Sequence, residues 1–315
     1  MLKNILVTGA TGFIGACLVE DLVKENYNVS IIVRKESNIW RLNKVINKIK
    51  IYYCDIVNKD ELESIAHKIN PEYIFHLATY GAYYFQQDDD LIINTNLIGT
   101  KNLVEAFTKV NYKAFVNIGS SSEYGIKNEC MKENDFIEPI NIYGVSKAAQ
   151  TLYCNMIYKT QNKPIGTVRF FSVYGNYEDK TRLVPSVILA CLKGENPKLA
   201  NGEAVRDFIY IKDVIEFLKF IAFKEKIGGK IYNLGSGSQC SVKQMVQTII
   251  KESGTVVNPM WGKLEGRKSD ATQKWEADMS LVKKELNWIP KYDLNKGIKQ
   301  SIEWFKNNME LYDYF

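Results

Sequence analysis

The chain is poor in the residues that bind metals and form disulfides. It has 315 residues but only two histidines, and its six cysteines are scattered without close pairing. Neither His67 nor His76 stands at zinc-ligand spacing from a cysteine, so we expect no metal site and a structural role for His76. The cysteines are expected to be reduced, mostly buried thiols rather than disulfides.

The chain also lacks a long apolar run, a basic block, an internal repeat and a low-complexity segment. No stretch is long enough for a signal peptide or a membrane span, so we expect a cytoplasmic protein with no membrane partner. The net charge of +5 comes from cations spread along the chain, which is not the pattern of a nucleic-acid-binding protein. With 46% hydrophobic residues, the chain is long enough for one large or two smaller cores.

What the chain does have is a glycine turn near its start. Gly9, Gly12 and Gly15 follow a short apolar run at residues 2–7, and residues 16–24 have helical spacing. A strand, glycine turn and helix in this order let the backbone approach a pyrophosphate at the helix N-terminus. The spacing Gly-x-x-Gly-x-x-Gly fits the usual dinucleotide fingerprint imperfectly, but its context favours a nucleotide site over a plain turn.

The residues after the second predicted strand indicate which dinucleotide binds. The strand at residues 28–33 is followed by Arg34 and Lys35, where a carboxylate would hydrogen-bond the adenosine 2′-hydroxyl of NAD. A guanidinium instead binds a 2′-phosphate through charge-assisted hydrogen bonds. The sequence therefore favours NADP(H), with NAD(H) possible; the alternative is that both side chains are solvated cations at a strand end.

Tyr143 and Lys147 are four residues apart and would share one face of a helix. The pKa of a free tyrosine is about 10, and a nearby ammonium lowers it towards the range useful for proton transfer. Chance pairs are expected in a chain with 19 tyrosines and 41 lysines plus arginines. The serines at 120–122 favour a catalytic pair, because they follow a predicted strand at 114–118 and would lie at the ligand edge of a parallel sheet, although such clusters are also common in loops.

Short apolar strands alternate with helical patterns up to about residue 170, which predicts βαβ units and a parallel sheet. Later strands are expected at residues 51–54, 73–77, 115–118 and 164–170, and long helices at 91–110 and 143–159. After Gly175 the alternation breaks into segments rich in glycine, proline and charge. We therefore expect a dinucleotide-binding domain at residues 1–175 and a mainly substrate-binding domain at residues 176–315.

These motifs, in this order and spacing, resemble the extended short-chain dehydrogenase/reductase family, in particular its nucleotide-sugar epimerase, dehydratase and reductase branch. The resemblance covers nearly the whole chain. It implies an α/β fold, a Rossmann-type doubly wound parallel sheet with a smaller, interleaved C-terminal substrate domain. The chain would return to the sheet around residues 207–240, with a strand at residues 230–234. A homodimer through the helices at residues 91–110 and 143–159 is also implied.

The resemblance further implies the roles of individual residues. Tyr143 would be the acid/base, Lys147 would hold the nicotinamide ribose and tune Tyr143, and Ser120 would be the hydroxyl partner. The other residues expected to bind the cofactor are Gly9, Thr11, Gly12, Phe13, Ile14, Gly15, Arg34, Lys35, Asp55, Ile56, Leu77, Ala78, Asn96, Phe170 and Val173. The residues expected to bind a nucleotide-diphosphate sugar are Thr79, Ser121, Ser122, Arg182, Val184, Arg206 and Arg267.

The family runs several reactions on one catalytic set, so particular residues must decide between them. Ser121 and Ser122 stand where a 4,6-dehydratase has its further acid and base, which disfavours that reaction. A 4-epimerase keeps NAD bound, and Arg34 weighs against it. We therefore expect an NADPH-dependent reductase of a nucleotide-linked 4-keto-6-deoxy sugar, with hydride delivered to C4 and a proton from Tyr143. The alternative is an NAD-dependent nucleotide-sugar 4-epimerase; a non-catalytic NADP sensor is less favoured.

Overall fold

The structure, a computed structural model, describes residues 3–224, 226–266 and 274–313. Its contacts divide the chain into two compact units. Unit 1 contains the described residues up to Gly125 together with Asp135–Phe170 and Ile215–Tyr232. Unit 2 contains Ile126–Asn134, Phe171–Val214 and the described residues from Asn233 onward.

A seven-stranded parallel sheet confirms the predicted Rossmann-type fold. Its strands are β1 (Asn4–Thr8), β2 (Asn28–Val33), β3 (Lys50–Tyr53), β4 (Tyr73–His76), β5 (Ala114–Ser120), β6 (Ile165–Phe170) and β9 (Ile231–Leu234). Their order in the sheet is β3-β2-β1-β4-β5-β6-β9. Because parallel strands end at a common edge, Thr8, His76 and Ser120 close three neighbouring strands there.

Eleven α-helices are assigned within the described residues. They are α1 (Phe13–Lys24), α2 (Lys59–Ile69), α3 (Asp89–Ile93), α4 (Gly99–Phe107), α5 (Ile142–Gln161), α6 (Leu183–Lys193), α7 (Ile211–Phe223), α8 (Val242–Ser253), α9 (Ser280–Leu286), α10 (Leu294–Lys306) and α11 (Glu310–Asp313). A π-helical turn at Asn94–Ile98 joins α3 to α4. Within the described ranges, none of these helices is long and apolar enough to cross a membrane.

The core of unit 1 explains why its strands could be predicted from the sequence. Ile5, Leu6 and Val7 of β1 are fully buried, as expected for a central parallel strand covered on both faces. Leu6 belongs to one apolar cluster with residues of the neighbouring strands and of α2 and α4, including Phe107 and Phe115. The apolar runs thus mark the centre of the sheet, and the polar residues that follow them mark its ligand edge.

Unit 2 contains a small mixed sheet that the sequence did not reveal. Its strands are β7 (Ser172–Tyr174), β8 (Val205–Tyr210) and β10 (Gln239–Ser241), in the order β10-β8-β7. β8 pairs parallel with β7 and antiparallel with β10. Two of these strands have only three residues, which is too few for an alternating pattern to be recognised.

A buried carboxylate ties β8 to two neighbouring segments of unit 2. Asp207 accepts hydrogen bonds from the backbone N–H of Ser236 (2.6 Å), of Gly237 (3.1 Å) and of Ala277 (3.0 Å), and from the Ser236 hydroxyl (2.7 Å). Burial raises the pKa of Asp207 to about 6, against the lowering effect of these hydrogen bonds. The side chain therefore organises the turn after β9 from within the fold.

Candidate active site

The glycine turn has the shape of a phosphate-binding turn. Gly9 adopts a φ of +67°, and a Cβ built on it would lie 2.4 Å from the carbonyl carbon of Leu77. A Cβ on Gly15 would lie 2.2 Å from the Gly9 carbonyl oxygen, so this glycine lets α1 pack against the turn. At Gly12 the closest described atom to such a Cβ is 3.2 Å away, so packing restricts that position least.

The start of α1 is suited to an anion. Gly12 caps the helix without a side-chain hydrogen bond, and the first helical bond runs from the Ala16 N–H to the Gly12 carbonyl. The N–H groups of the first turn thus have no acceptor inside the helix, and they lie at the positive end of its dipole. Together with its close-packed glycines, the turn fits a dinucleotide pyrophosphate.

The cations after β2 differ in their surroundings. Arg34 and Lys35 are exposed, and the Arg34 Nε lies 3.2 Å from Glu36 Oε1. Arg41, which the sequence analysis did not single out, donates from Nη1 to the Thr11 carbonyl (3.2 Å) and lies 4.4 Å from the ring centre of Trp40. Arg41 is therefore fixed at the glycine turn itself. No local sequence pattern predicts its contact with Thr11.

The serine segment at the end of β5 is held by a buried carboxylate. The Ser120 N–H donates to Glu123 Oε1 (2.8 Å), and the Ser120 Oγ accepts from the Ser122 N–H (3.1 Å). Thr151 of α5 also donates to Glu123 Oε1 (3.1 Å). Ser120 and Ser121 are buried and Ser122 is half-buried, so the Ser120 hydroxyl has a fixed position at the strand end.

Glu123 is paired inside the protein. The Arg169 Nε of β6 donates to Glu123 Oε2 (2.8 Å), and both side chains are within 2% of complete burial. Arg169 also donates from Nη1 to the Tyr124 hydroxyl (2.8 Å). Burial raises the pKa of Glu123, and the Arg169 guanidinium opposes that rise. The Glu123 carboxylate is thus engaged on both oxygens beneath the serine segment.

Helix α5 carries the tyrosine and the lysine to this serine segment. Asn141 caps the helix by accepting from the Gly144 N–H (2.7 Å). A Cβ built on Gly144 would lie 2.5 Å from the Ser122 carbonyl oxygen, so the absent side chain allows direct contact between α5 and the serines. A Cβ on Gly81 would lie 3.2 Å from Cδ2 of Tyr143, which places the loop after β4 beside the tyrosine ring.

Lys147 is almost completely buried, whereas Tyr143 is partly exposed. The Lys147 ammonium donates to Gln150 Oε1 (2.6 Å). Burial lowers the pKa of Lys147 to about 8, and the nearby Glu123 carboxylate limits the fall. A lysine held in this way supplies a positive charge one helical turn from Tyr143 and out of contact with water.

A second set of polar side chains lies at the end of β4. Asn96 of the π-helical turn accepts from the Tyr80 N–H (2.8 Å) and donates to the Tyr80 carbonyl and the Ser146 hydroxyl. His76 bridges the hydroxyls of Thr8 (2.7 Å) and Thr100 (2.8 Å) through its two ring nitrogens. Burial lowers the pKa of His76 to about 3, so the ring is neutral. Its two hydrogen bonds connect β1 to α4.

The remaining sequence-predicted residues fall into both units. Unit 1 holds Asp55, Ile56, Leu77, Ala78, Thr79 and Phe170, and unit 2 holds Val173, Arg182, Val184 and Arg206. Asp55 accepts from the Val57 N–H (3.1 Å), Arg182 lies 3.6 Å from Glu178, and Arg206 lies 5.1 Å from the Trp275 ring centre. Arg267 lies outside the described residues. The ligand contacts of all these residues stay predictions.

The sequence matches a known protein family and resembles characterised members of it. The model of the NAD dependent epimerase/dehydratase family matches residues 5–235. UDP-glucose 4-epimerase of Pisum sativum is 29% identical over 340 residues, which cover 97% of this chain and 96% of the relative.

Two solved structures are also similar over nearly their whole length. UDP-glucose 4-epimerase of Thermotoga maritima, solved with UDP-glucose, gives a TM-score of 0.88 at 27% identity and covers 97% of this chain and 99% of that one. UDP-glucuronic acid 4-epimerase of Bacillus cereus, solved with UDP-glucuronic acid and NAD, gives a TM-score of 0.83 at 26% identity and covers 96% and 99%.

Proposed function

Because this chain belongs to the NAD dependent epimerase/dehydratase family, we propose that it is a nucleotide-sugar 4-epimerase that works with a bound dinucleotide. The observation that carries the proposal is the buried Lys147 ammonium on the same helix as Tyr143, with that helix in direct contact with the Ser120–Ser122 segment. The 4-epimerases among the relatives support this reaction class over the reductase that the sequence analysis placed first.

The proposed chemistry divides between the protein and its cofactor. NAD, when bound, supplies a reversible hydride acceptor. Tyr143 removes the proton from the sugar C4 hydroxyl. After the keto sugar has rotated to present its opposite face, Tyr143 returns the proton. The Lys147 ammonium favours the phenolate form of Tyr143 by direct electrostatic attraction. The Ser120 hydroxyl hydrogen-bonds the same sugar oxygen and fixes its distance from Tyr143.

The serine segment argues against a 4,6-dehydratase. That reaction requires a further acid and base beside the Tyr/Ser set, and positions 121 and 122 carry hydroxyls instead of carboxylates. The nearby Glu123 carboxylate is bound by Arg169, by Thr151 and by the Ser120 N–H. It is therefore not free to take or give a proton at the sugar.

The substrate we propose is a UDP-linked sugar, since the relatives named above act on such sugars. Arg182 and Arg206 of unit 2 are the side chains we propose for the diphosphate, as charge-assisted donors. Arg206 lies over the ring of Trp275, which stiffens it, and Arg182, just before α6, lies 3.6 Å from the buried Glu178. The energy of binding the remote diphosphate would then be available to orient the sugar for reaction.

A second function, the NADPH-dependent reductase of a 4-keto sugar, is favoured by one specific observation. No carboxylate stands at the first two positions after β2, and Arg41 adds a second guanidinium at the glycine turn. Two guanidinium groups near this edge suit a 2′-phosphate better than a 2′-hydroxyl. Against it, the Arg34 guanidinium already lies beside the Glu36 carboxylate, and the UDP-glucuronic acid 4-epimerase named above was solved with NAD.

The test is the identity of the nucleotide in the purified protein, combined with an activity assay. The protein is denatured, and the released nucleotide is identified by chromatography. In parallel, the protein is incubated with UDP-glucose or UDP-glucuronic acid without added cofactor, and the 4-epimer is quantified. Retained NAD with epimer formation supports the epimerase. A protein without nucleotide that binds NADPH more tightly than NADH and reduces a 4-keto sugar would replace it with the reductase.

A further inference from the structure

A chain of buried hydrogen bonds runs from Lys147 into the centre of the sheet. The Lys147 ammonium donates to Gln150 Oε1 (2.6 Å), and Gln150 Nε2 donates to Asn117 Oδ1 of β5 (2.6 Å). Asn117 Nδ2 then donates to the Thr167 hydroxyl of β6 (3.0 Å), its partner across the strand pair. All four side chains are at most 2% exposed, so water does not compete for these bonds.

The donors and acceptors of this chain fit in one direction. An ammonium has only donors, so the Gln150 amide must turn its oxygen to Lys147 and its NH₂ to Asn117. The same argument then fixes the Asn117 amide, whose oxygen accepts and whose NH₂ donates to Thr167. Within the described residues the ammonium makes this one hydrogen bond, which leaves two N–H groups for a ligand.

The other ionisable groups around Lys147 leave Gln150 as its direct contact. His76 of β4 is neutral at physiological pH, and burial raises the pKa of the Cys154 thiol of α5 to about 12. Glu123, beyond the end of β5, is the nearby carboxylate, and Arg169 of β6 holds it in an ion pair. The charge that favours the Lys147 ammonium is therefore shared with Arg169, whereas the Gln150 oxygen touches the ammonium itself.

We propose that Gln150 is a positioning residue for Lys147, which it anchors to strands β5 and β6 through Asn117 and Thr167. This inference rests on the proposed role of Lys147 beside Tyr143. By accepting one N–H, Gln150 points the remaining two away from the sheet and towards the cofactor and the tyrosine. It also stabilises the charged form of Lys147, because a hydrogen bond to an ionised group favours that group's ionisation.

Two substitutions at this position act in opposite directions on the titration of Lys147. Gln150→Met keeps the length of the side chain but removes the acceptor, so Lys147 should lose its proton at a lower pH than in the unmodified protein. Gln150→Glu adds a carboxylate in the same place, so Lys147 should keep its proton to a higher pH. We expect each displacement to be about one pH unit or more.

The titration is followed by NMR of the labelled Cε of lysine in cofactor-free protein, with the Lys147 resonance assigned from Lys147→Arg. Thr160→Val, at the exposed end of α5, is the control for a change in the helix that does not reach Lys147. NAD affinity is measured by calorimetry, and Gln150→Met should weaken it about tenfold through the misplaced ammonium. Thermal unfolding of each variant shows whether it is folded.

The outcomes separate this inference from the proposed reaction. Opposite displacements of the Lys147 titration support the positioning role even if no UDP-sugar is epimerised, in which case only the proposed function fails. A Lys147 titration in Gln150→Met that coincides with that of the unmodified protein overturns the inference, whatever the enzyme's activity. If Gln150→Met does not fold, Asn117→Leu removes the anchor of Gln150, and an unchanged Lys147 titration in that variant overturns it equally.

Discussion

Individual side chains in this site carry charges that the fold has removed from water. Lys147, Glu123 and Arg169 are all nearly fully buried, and each is held by a partner at hydrogen-bond distance. Tyr143, by contrast, is partly exposed at the start of α5. The arrangement keeps these buried charges rigid and leaves Tyr143, which we propose transfers the proton, accessible to a substrate.

Tyr143→Phe removes the hydroxyl that we propose transfers the proton. Turnover should fall by at least about 10²-fold, because general acid–base catalysis typically contributes this much or more. The affinity for NAD should stay nearly unchanged, since Lys147 and the glycine turn are untouched. Initial rates and calorimetry measure the two quantities. Tyr158→Phe removes a hydroxyl from the same helix and serves as the control; normal turnover in Tyr143→Phe would exclude the tyrosine from the mechanism.

The sequence was informative about residues whose role follows from local spacing and silent about those brought together by the fold. The glycine turn and the Tyr143/Lys147 pair were visible because each lies within a few positions. Gln150 meets Asn117 across 33 residues, and Glu123 meets Arg169 across 46. Arg41 reaches the glycine turn across 30 residues. No local pattern encodes such contacts, so these three contacts became visible only with the structure.

At the start of α5, a glycine packs directly against the serine segment. At Gly144 the space for a Cβ is already filled by the Ser122 carbonyl oxygen and by Pro139, at 2.5 and 2.9 Å. Glycine is otherwise a poor residue for a helix, by about 1 kcal/mol relative to alanine. Its presence in the first turn is explained by this contact and not by helix stability.

Gly144→Ala should therefore separate catalysis from helix stability. The methyl group forces α5 away from the serines, and a displacement of about 1 Å can cost about 10²-fold in rate. Helix propensity acts in the opposite direction, so the unfolding temperature should change little. Steady-state turnover and thermal unfolding are compared with those of Ala149→Gly, which should lose stability and keep its rate. A Gly144→Ala enzyme of normal rate would show that this contact does not position Tyr143.

The turn after β9 depends on Asp207 in a way that is open to measurement. Asp207→Asn leaves buried N–H groups facing an amide, and the free energy of unfolding should fall by about 2 kcal/mol or more at pH 7. Since the folded pKa is raised to about 6, the native protein binds a proton before the unfolded chain does as pH falls. The stability that comes from this raised pKa is lost as pH rises through 6. The loss of unfolding free energy caused by Asp207→Asn should therefore be larger at pH 5 than at pH 7.

Urea unfolding at both pH values measures this deficit. Glu203→Gln, an exposed residue just before β8, is the control and should change stability by less than about 0.5 kcal/mol. A deficit in Asp207→Asn that is smaller at pH 5 than at pH 7 would contradict the upward shift of the Asp207 pKa.

Elements of unit 1 were predictable because buried strands and helices consist largely of apolar residues, which form recognisable runs in the sequence. β2 was predicted at its observed limits, and the long helix predicted at residues 143–159 is observed as Ile142–Gln161. The helix predicted at residues 91–110 is interrupted by a π-helical turn, which carries Asn96. The extra residue in that turn has no signature in the spacing of apolar residues, and neither have the three-residue strands β7 and β10.

At the scale of the whole molecule, the homodimer remains a proposal, and α5 supplies the surface for it. Val145, Leu152 and Met156 are 43%, 58% and 42% exposed, and their spacing puts them on one face of the helix. Ile98 of the neighbouring π-helical turn is 38% exposed. An apolar stripe on an otherwise amphipathic helix suits a second copy of the same surface across a two-fold axis.

Leu152→Lys places a charge in the centre of this stripe. If the stripe is the dimer contact, the dissociation constant of the dimer should rise at least about 30-fold, as for the loss of a central interface residue. Sedimentation velocity over a concentration series measures the change. Val256→Lys alters a valine that is 98% exposed in unit 2 and should leave the association state as it is. A dimer that survives Leu152→Lys must use a different surface.

The Glu123–Arg169 pair also constrains how this enzyme can change its chemistry over generations. A lineage that lost either partner alone would carry an unpaired buried charge, at a cost of about 3–5 kcal/mol, a large part of the 5–15 kcal/mol that keeps a typical domain folded. Each of the two positions is therefore epistatic to the other. A free carboxylate can therefore arise beside the serine segment in one of two ways. Either Glu123 and Arg169 change together, or a stabilising substitution elsewhere comes first.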